Sequence, residues 1–279
     1  MKFAVVGHVE WVEFARVERV PEAGEIVHAR EVWAEPAGGG AVAAVQLARL
    51  SGACTFFTAL GNDELGHRVH HELAALGVRV QAVFRGDFQR RGFTHVDDGG
   101  ERTITVIGER LGPSGDDPLP WDELALADAV YFVSGDEGAA RASRWARVLV
   151  ATARSLPALR RSGVHLDALV RSGRDPSERY EPGDLDPPPR LDVATAGQLG
   201  GAYTVAGAVP VRFEAAPLPG RLEDTYGAGD SFAAGLTFAL AERRPVEEAV
   251  AFAARAGSAA LARRGAHGAQ APSRSLLSM

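Results

Sequence analysis

The chain has 279 residues, 46% of them hydrophobic and 24% charged, which predicts a soluble globular protein with a sizeable core and no stretch near the roughly 18 apolar residues of a membrane span. A net charge of −6 gives no general attraction to nucleic acid, so small-molecule partners are expected, not nucleic acid and not membrane. The single lysine, Lys2, excludes a P-loop, the strand lysine of the protein-kinase fold and a pyridoxal Schiff base, and the single cysteine, Cys54, excludes an internal disulfide or a thiolate metal cluster.

Residues 2–6 read as a first buried strand and not as a signal peptide, which predicts a cytoplasmic protein. Two extended stretches follow within residues 12–32, around the turn "VPEAGE". Gly40 to Leu50 has helical spacing and ends at Gly52, and Cys54 to Leu60 reads as a buried strand in which Cys54 is structural. A helix over Glu64 to Leu76 is closed by Gly77, and a strand follows at Val78–Val83. His67, His70 and His71 on that helix lack carboxylate spacing for zinc and read as a solvated face. Gly92–Val96 and Arg102–Ile107 are extended stretches joined by "DDGGE", a hairpin signal. The four polar-alternating stretches are expected to form a small separate sheet.

Further strands are predicted at Ala129–Val133, His165–Val170 and Leu191–Thr195, a proline-rich loop at Glu181–Arg190, and helices from Ser231 to Arg263. Strands alternating with helices predict an α/β protein with a mostly parallel sheet covered on both faces.

The stretch "DTYGAGDSF", Asp224 to Phe232, carries the chemistry. Its glycines permit close backbone approach, and the amides of Gly227, Ala228 and Gly229 fall where a helix N-terminus gathers unpaired donors, an anion site that needs no lysine. Asp230 is placed to accept a proton from a hydroxyl attacking a bound phosphate; the helix dipole is expected to keep it ionised and a weak base. By spacing alone the same residues also read as an ordinary helix cap.

The stretch matches at every fixed position the D-T-x-G-A-G-D signature of the ribokinase-like, or PfkB, sugar-kinase family, which it resembles in other segments taken in order. "PAGGGAVAAVQLARLSG" is similar to the family's N-terminal glycine-rich motif, "TALGNDELG" to its G-x-D-x-x-G element, "TAGQLGG" to its nucleotide stretch, and "SGRDPSE" to its N-x-x-E. The resemblance implies a single ribokinase-like domain over residues 1–279, a three-layer α/β/α sandwich whose lid strands are inserted from about 12–32 and 85–107. It implies an ATP-dependent kinase acting on a hydroxyl of a small sugar, nucleoside or polyol, with Asp230 as base and Gly227, Ala228 and Gly229 as anion hole. Thr195, Gly197, Gly200 and Thr225 would contact ATP, and Asp175 and Glu178 would organise Mg2+ through water. A monovalent cation is a further cofactor the family admits, and a homodimer through the lid sheets is a further expectation.

Glu10, Trp11, Gly38, Gly39, Gly40, His95 and Arg102 are the expected acceptor-binding residues. Read from the residues alone, each has a plainer alternative: Gly38–Gly40 a loop before a helix, Thr195–Gly201 a strand–turn–strand connection, Asp175 and Glu178 a capping pair, and His95 and Arg102 solvent-facing strand residues. Departures from the family bear on substrate. The position of its sugar-gripping Asp falls on Val12, its sugar-binding Asn is Ala43, and the Asn of N-x-x-E is Asp175. Two rivals follow: a non-catalytic member that binds a ligand or regulates, and a dinucleotide enzyme, the latter opposed by the absence of G-x-G-x-x-G in "VVGHVEWVEF".

Overall fold

The computed structural model describes residues 1–262 and 264–268. In chain order the strands are β1 (Phe3–Val6), β2 (Glu10–Arg16), β3 (Glu31–Ala37), β4 (Cys54–Gly61), β5 (Val78–Arg85), β6 (Arg91–Val96), β7 (Arg102–Ile107), β8 (Ala129–Phe132), β9 (Val148–Thr152), β10 (Ala168–Ser172), β11 (Leu191–Thr195), β12 (Gly201–Val205) and β13 (Val211–Phe213). Nine of them form one sheet in the order β13-β12-β11-β10-β9-β8-β1-β4-β5, parallel from β5 to β11 and closed by two antiparallel edge strands. The other four make a separate sheet, β3-β2-β6-β7, that stands as a lid.

Alternation along β1 sorts the core into two layers. Phe3 and Val5 join Phe56 on the face covered by α1 (Gly39–Ser51), α2 (Glu64–Ala75), α5 (Ala228–Ala241) and α6 (Val246–Ala260). Ala4 and Val6 join Phe57, Val130 and Phe132 on the face covered by α3 (Glu137–Ser143) and α4 (Leu156–Ser162). The result is the predicted α/β/α sandwich, and both faces of the parallel strands are apolar for that reason. Among the described residues no helix is long and apolar enough to cross a membrane.

Several boundaries differ from the sequence reading. The second lid strand lies at Glu31–Ala37, so residues 17–30 form a connection longer than the turn "VPEAGE" between the two stretches expected within 12–32. β9, "VLVAT", was not foreseen: a five-residue apolar run carries no periodicity that separates strand from buried helix. β12 and β13 were also unforeseen as sheet members, their residues being mostly half-exposed at the edge. The predicted strand at His165–Val170 begins later, at Ala168, and the long helical region divides into α5 and α6, with Arg263 outside the described residues. The proline-rich stretch at 181–190 is turn and loop, as expected.

Cys54 is buried at the start of β4, and burial pushes its thiol pKa up, as befits a structural residue. The G-x-D-x-x-G element is a joint between β4 and α2. Asp63 caps the helix, accepting the Gly66 amide at 2.8 Å, and takes the Gln89 amide at 2.9 Å with its other oxygen. His67 stacks on Phe84 at 4.6 Å between ring centroids, and no group of three or more metal-ligating side chains occurs among the described residues.

Candidate active site

The helix α5 begins at Gly227, whose φ of +73° only glycine adopts without strain; a Cβ there would also press on Val42 Cγ1 at 3.0 Å. This left-handed turn swings the chain into the helix so that the amides of Ala228, Gly229 and Asp230 form its first turn, where donors have no intrahelical acceptor. Gly229 opens on free space, with no atom within 4 Å of where a Cβ would stand. The preceding loop is fixed from beneath. Asp224, fully buried, accepts the amides of Tyr226 at 2.8 Å and Gly265 at 3.0 Å, while burial pushes its pKa up.

The N-terminal glycines meet this loop. A Cβ on Gly39 would lie 2.7 Å from Asp230 Oδ1, so the backbone of α1's first turn runs directly against the carboxylate. A Cβ on Gly40 would lie 2.5 Å from the His8 carbonyl oxygen, and the Gly38 amide donates to the Tyr226 hydroxyl at 3.0 Å. Two motifs nearly 190 residues apart are thereby locked together. Because Gly39 itself has no positive φ, Gly39→Ala should fold, yet displace Asp230; we expect kcat to fall at least tenfold with Tm within a few degrees of wild type, measured by steady-state kinetics and calorimetry.

Half-buried Asp230 does not have the depressed pKa expected from the helix dipole. Burial pushes it up to about 6; the attraction of Arg154 and Arg102 opposes this, and repulsion from Glu178 and Glu10 adds to it. Loss of hydration outweighs the dipole where the carboxylate lies against the backbone of α1's first turn. The group is therefore a stronger proton acceptor than the sequence suggested, and still ionised at neutral pH.

The register of the lid decides which of its residues face this carboxylate. Val12, Phe14 and Val96 pack with Tyr226 and Val42, so the face that carries them looks inward. Arg102, paired with Val96, shares that face, and its Nη1 donates to the Thr225 carbonyl at 2.6 Å. His95 pairs with Ala15 and Thr103 on the opposite face, where it meets Phe93 edge-on at 5.0 Å; the strand period of two turns it away from the site. Trp11 also differs from expectation as an apolar wall for ligand. It is 3% exposed, embedded in the main core beneath the Arg68 guanidinium at 4.3 Å.

Glu10 does sit at the site, buried at the entry to β2, with Arg90 Nε 3.0 Å from its carboxylate; burial raises its pKa. Beside it is His8, unforeseen from sequence, whose Nδ1 shares a hydrogen bond of 3.0 Å with the Ser134 hydroxyl. Burial, reinforced by Arg110, Arg90 and Arg154, depresses the His8 pKa to about 3, so the ring is neutral. These arginines were also missed, and the one signal for them was their position just after strands.

On the other side of Asp230, the Thr195 hydroxyl donates to the Arg171 carbonyl at 3.3 Å, and the chain turns through Gly197 and Gly200 into β12. A Cβ on Gly200 would meet the Phe213 carbonyl at 2.0 Å, so this glycine serves close strand packing. Asp175 and Glu178 come together, as the motif suggested, but around Arg154, which donates to each at 2.7 Å. Glu178 also accepts the Ser172 amide at 2.7 Å, and Asp175 caps Ser177 at 2.9 Å.

An open helix N-terminus, a carboxylate of raised pKa against a glycine helix start, and a four-stranded lid bonded to the same loop meet here. The model of the pfkB family of carbohydrate kinases matches residues 2–156 and 195–274. The chain belongs to that family. The unmatched stretch holds β10 and the Asp175–Glu178 turn, where the sequence already departs from pattern. The ribokinase of Bacillus subtilis is 26% identical over 273 residues, covering 90% of this chain and 89% of that protein. The ATP-dependent ribose-1-phosphate kinase of Halopiger xanaduensis is 28% identical over 285 residues, covering 94% and 93%. Among solved structures, the Arabidopsis thaliana ribokinase complexed with ribose and ATP has a TM-score of 0.76 at 21% identity, over 99% of this chain and 97% of that one, a likeness of fold.

Proposed function

We propose that the protein transfers the γ-phosphoryl group of ATP to a hydroxyl of a small sugar, nucleoside or related polyol. The observation that carries this reading is the Asp230 carboxylate, raised to about 6, in the first turn of α5 beside the amides of Gly227, Ala228 and Gly229. The acceptor oxygen would form a bond to the γ-phosphorus as the bond from that phosphorus to the β,γ-bridging oxygen breaks, and the hydroxyl proton would pass to Asp230. The three amides would hold the charge on the transferred group without a lysine, through backbone dipoles already oriented in the fold. Arg102 would hold the lid against the Thr225 carbonyl over the acceptor.

ATP would lie over the open side of Gly229, with Thr195, Gly197 and Thr225 along its path; the absence of a neighbour at Gly229 supports this. Mg2+ supplied with the nucleotide would neutralise its phosphates. Asp175 and Glu178, with oxygens engaged by Arg154, suit a hydrated ion held through water and make no cage for direct coordination. Cytoplasmic location, a monovalent cation and a homodimer through the lid belong to the same proposal; exposed Ile107, on the outward face of β7, supports the last.

The test is a coupled ADP-release assay over a panel of sugars, nucleosides and their phosphate esters, the ribose and ribose 1-phosphate of the relatives' names included. Turnover of at least one is expected, and none with any acceptor overturns the reading. With the preferred acceptor, kcat/KM should be full above pH 7 and fall tenfold per pH unit well below 6, because Asp230 must be ionised to take the proton. A profile flat from pH 5 to 8 would count against Asp230 as the base. A second reading, a binding or regulatory member with weak activity, is favoured by the pairing of both would-be metal carboxylates with Arg154. Calorimetric sugar binding without turnover would establish it.

A further inference from the structure

Behind the acceptor side of the cleft, at the C-terminal ends of β8 and β9, lies a cavity of about 320 Å3, many times the roughly 30 Å3 of a water molecule. Arg110, Ser114, Ser134, Asp136, Arg154 and Arg161 contribute to its wall. Its charges do not cancel. Asp136 is engaged by the Ser114 hydroxyl at 2.5 Å and by the amides of Gly115 at 2.9 Å and Ala139 at 2.8 Å. Arg161 is paired with Glu137 at 3.1 Å, and Arg154 with Asp175 and Glu178. Arg110 alone among these has neither a hydrogen bond nor an ion pair among the described residues.

The wall of the cavity is linked to Asp230 through packed residues. Ser134 in its wall holds His8, a Cβ on Gly38 would lie 3.5 Å from His8 Cδ2, and the neighbouring Gly39 abuts Asp230. Arg154 lines the cavity and also acts on Asp230. Arg90 and Arg110 bear on Glu10, and the pKa of Arg110 is lowered by partial burial and by Arg90 and Arg154, with Glu10 opposing the shift. An exposed guanidinium that reaches no acceptor within ion-pair distance among the described residues, beside Arg90 and Arg154 and with Glu10 as its one attracting charge, is a place where an anion would relieve the repulsion and make charge-assisted, fork-shaped hydrogen bonds.

We propose that the acceptor carries an anionic group, a phosphate ester or a carboxylate, which this cavity receives on Arg110 while the reacting hydroxyl lies at Asp230. The proposal rests on the kinase reading only in taking Asp230 as the place of transfer. An uncharged pentose or hexose would leave Arg110 to water, whereas an anionic acceptor would gain its charge-assisted hydrogen bonds.

The test is calorimetry on the full chain with Mg2+ and a non-hydrolysable ATP analogue, using ribose, fructose, ribose 1-phosphate, ribose 5-phosphate, fructose 6-phosphate and gluconate as probes. At least one phosphate ester, or gluconate, should bind ten- to a hundredfold more tightly than the uncharged sugars. Which of the two does so distinguishes phosphate from carboxylate. Arg110→Gln should abolish that preference, Arg110→Lys should restore part of it, and the Kd of the ATP analogue should stay within twofold throughout. Equal binding of charged and uncharged sugars, no anionic probe binding at all, or a preference that survives Arg110→Gln would overturn the proposal. So would an equal loss of ATP-analogue affinity, which would assign Arg110 to the nucleotide. Tight, Arg110-dependent binding of an anionic sugar that is never phosphorylated would sink the kinase reading and leave this one standing; rapid phosphorylation of a neutral sugar, indifferent to Arg110→Gln, would do the reverse.

Discussion

Asp230→Asn should lower kcat by three to four orders of magnitude while the Kd for ATP changes less than threefold. Removing a general base costs roughly 10²–10⁴ in rate, and the upper part of that range is expected because Asp230 is the carboxylate directly against Gly39 in the first turn of α1. The variant should not be less stable. A folded-state pKa of about 6, above the ordinary Asp value of 3.8, means the ionised form is disfavoured by folding, so this group's contribution grows as pH falls through 6 and is adverse at pH 8. Asparagine carries no charge, and Tm of the variant at pH 8 should equal or exceed that of wild type by calorimetry. Retention of more than a tenth of wild-type kcat would remove Asp230 from the mechanism.

Gly66→Ala should be the most damaging single-methyl change to the fold. A Cβ at this position would stand 1.9 Å from the carbonyl oxygen of Gly61, and the obstructing atom is backbone at the end of a central strand. Relief requires α2 to lift from β4, which would break the Asp63 hydrogen bonds to Gly66 and Gln89. We expect a loss of about 3 kcal/mol, the upper end for overpacking, or roughly 5–10 °C in Tm for a chain of this size. Thermal unfolding with urea denaturation would measure it, and a change under 1 kcal/mol would show that the joint between β4 and α2 is soft. The element that resembles a sugar-kinase motif is, in the structure, a packing joint between β4 and α2.

The parts of the site made of backbone were the parts legible in the sequence. "DTYGAGDSF" and "PAGGGAV" announce themselves because amide donors and close approach demand glycine at fixed spacing, and these two stretches do meet at Asp230 and Gly39. Side chains that act from separate loops leave no such trace. Arg90, Arg110 and Arg154 follow three different strands, and nothing in their local sequence says that they gather around His8. His95 and Arg102 were equivalent from sequence, because hairpin register had to be known before one could be turned inward and the other out. The Asp230 pKa was misjudged for a related reason: the dipole of α5 is visible in sequence, whereas the desolvation by Gly39 comes from an element nearly two hundred residues away. In the sheet, the long amphipathic helices and the strands bounded by glycine were readable, while β9 and the β12–β13 edge were too short or too exposed to carry a pattern.

The bond from Arg102 to the Thr225 carbonyl joins the last strand of the lid to the residue two positions before the helix-start glycine. The lid is also stitched to that loop at Gly100, whose carbonyl receives the Thr225 amide at 3.0 Å. A cover and a cradle fastened to each other at these points, and at Arg16, whose Nη2 donates to the Glu223 carbonyl at 3.2 Å, cannot shift independently: whatever tilts the lid over the acceptor also rotates the amides that face the phosphate. The molecule is in this respect a latch with one moving part, in which readiness to receive the second substrate is written into the posture adopted for the first.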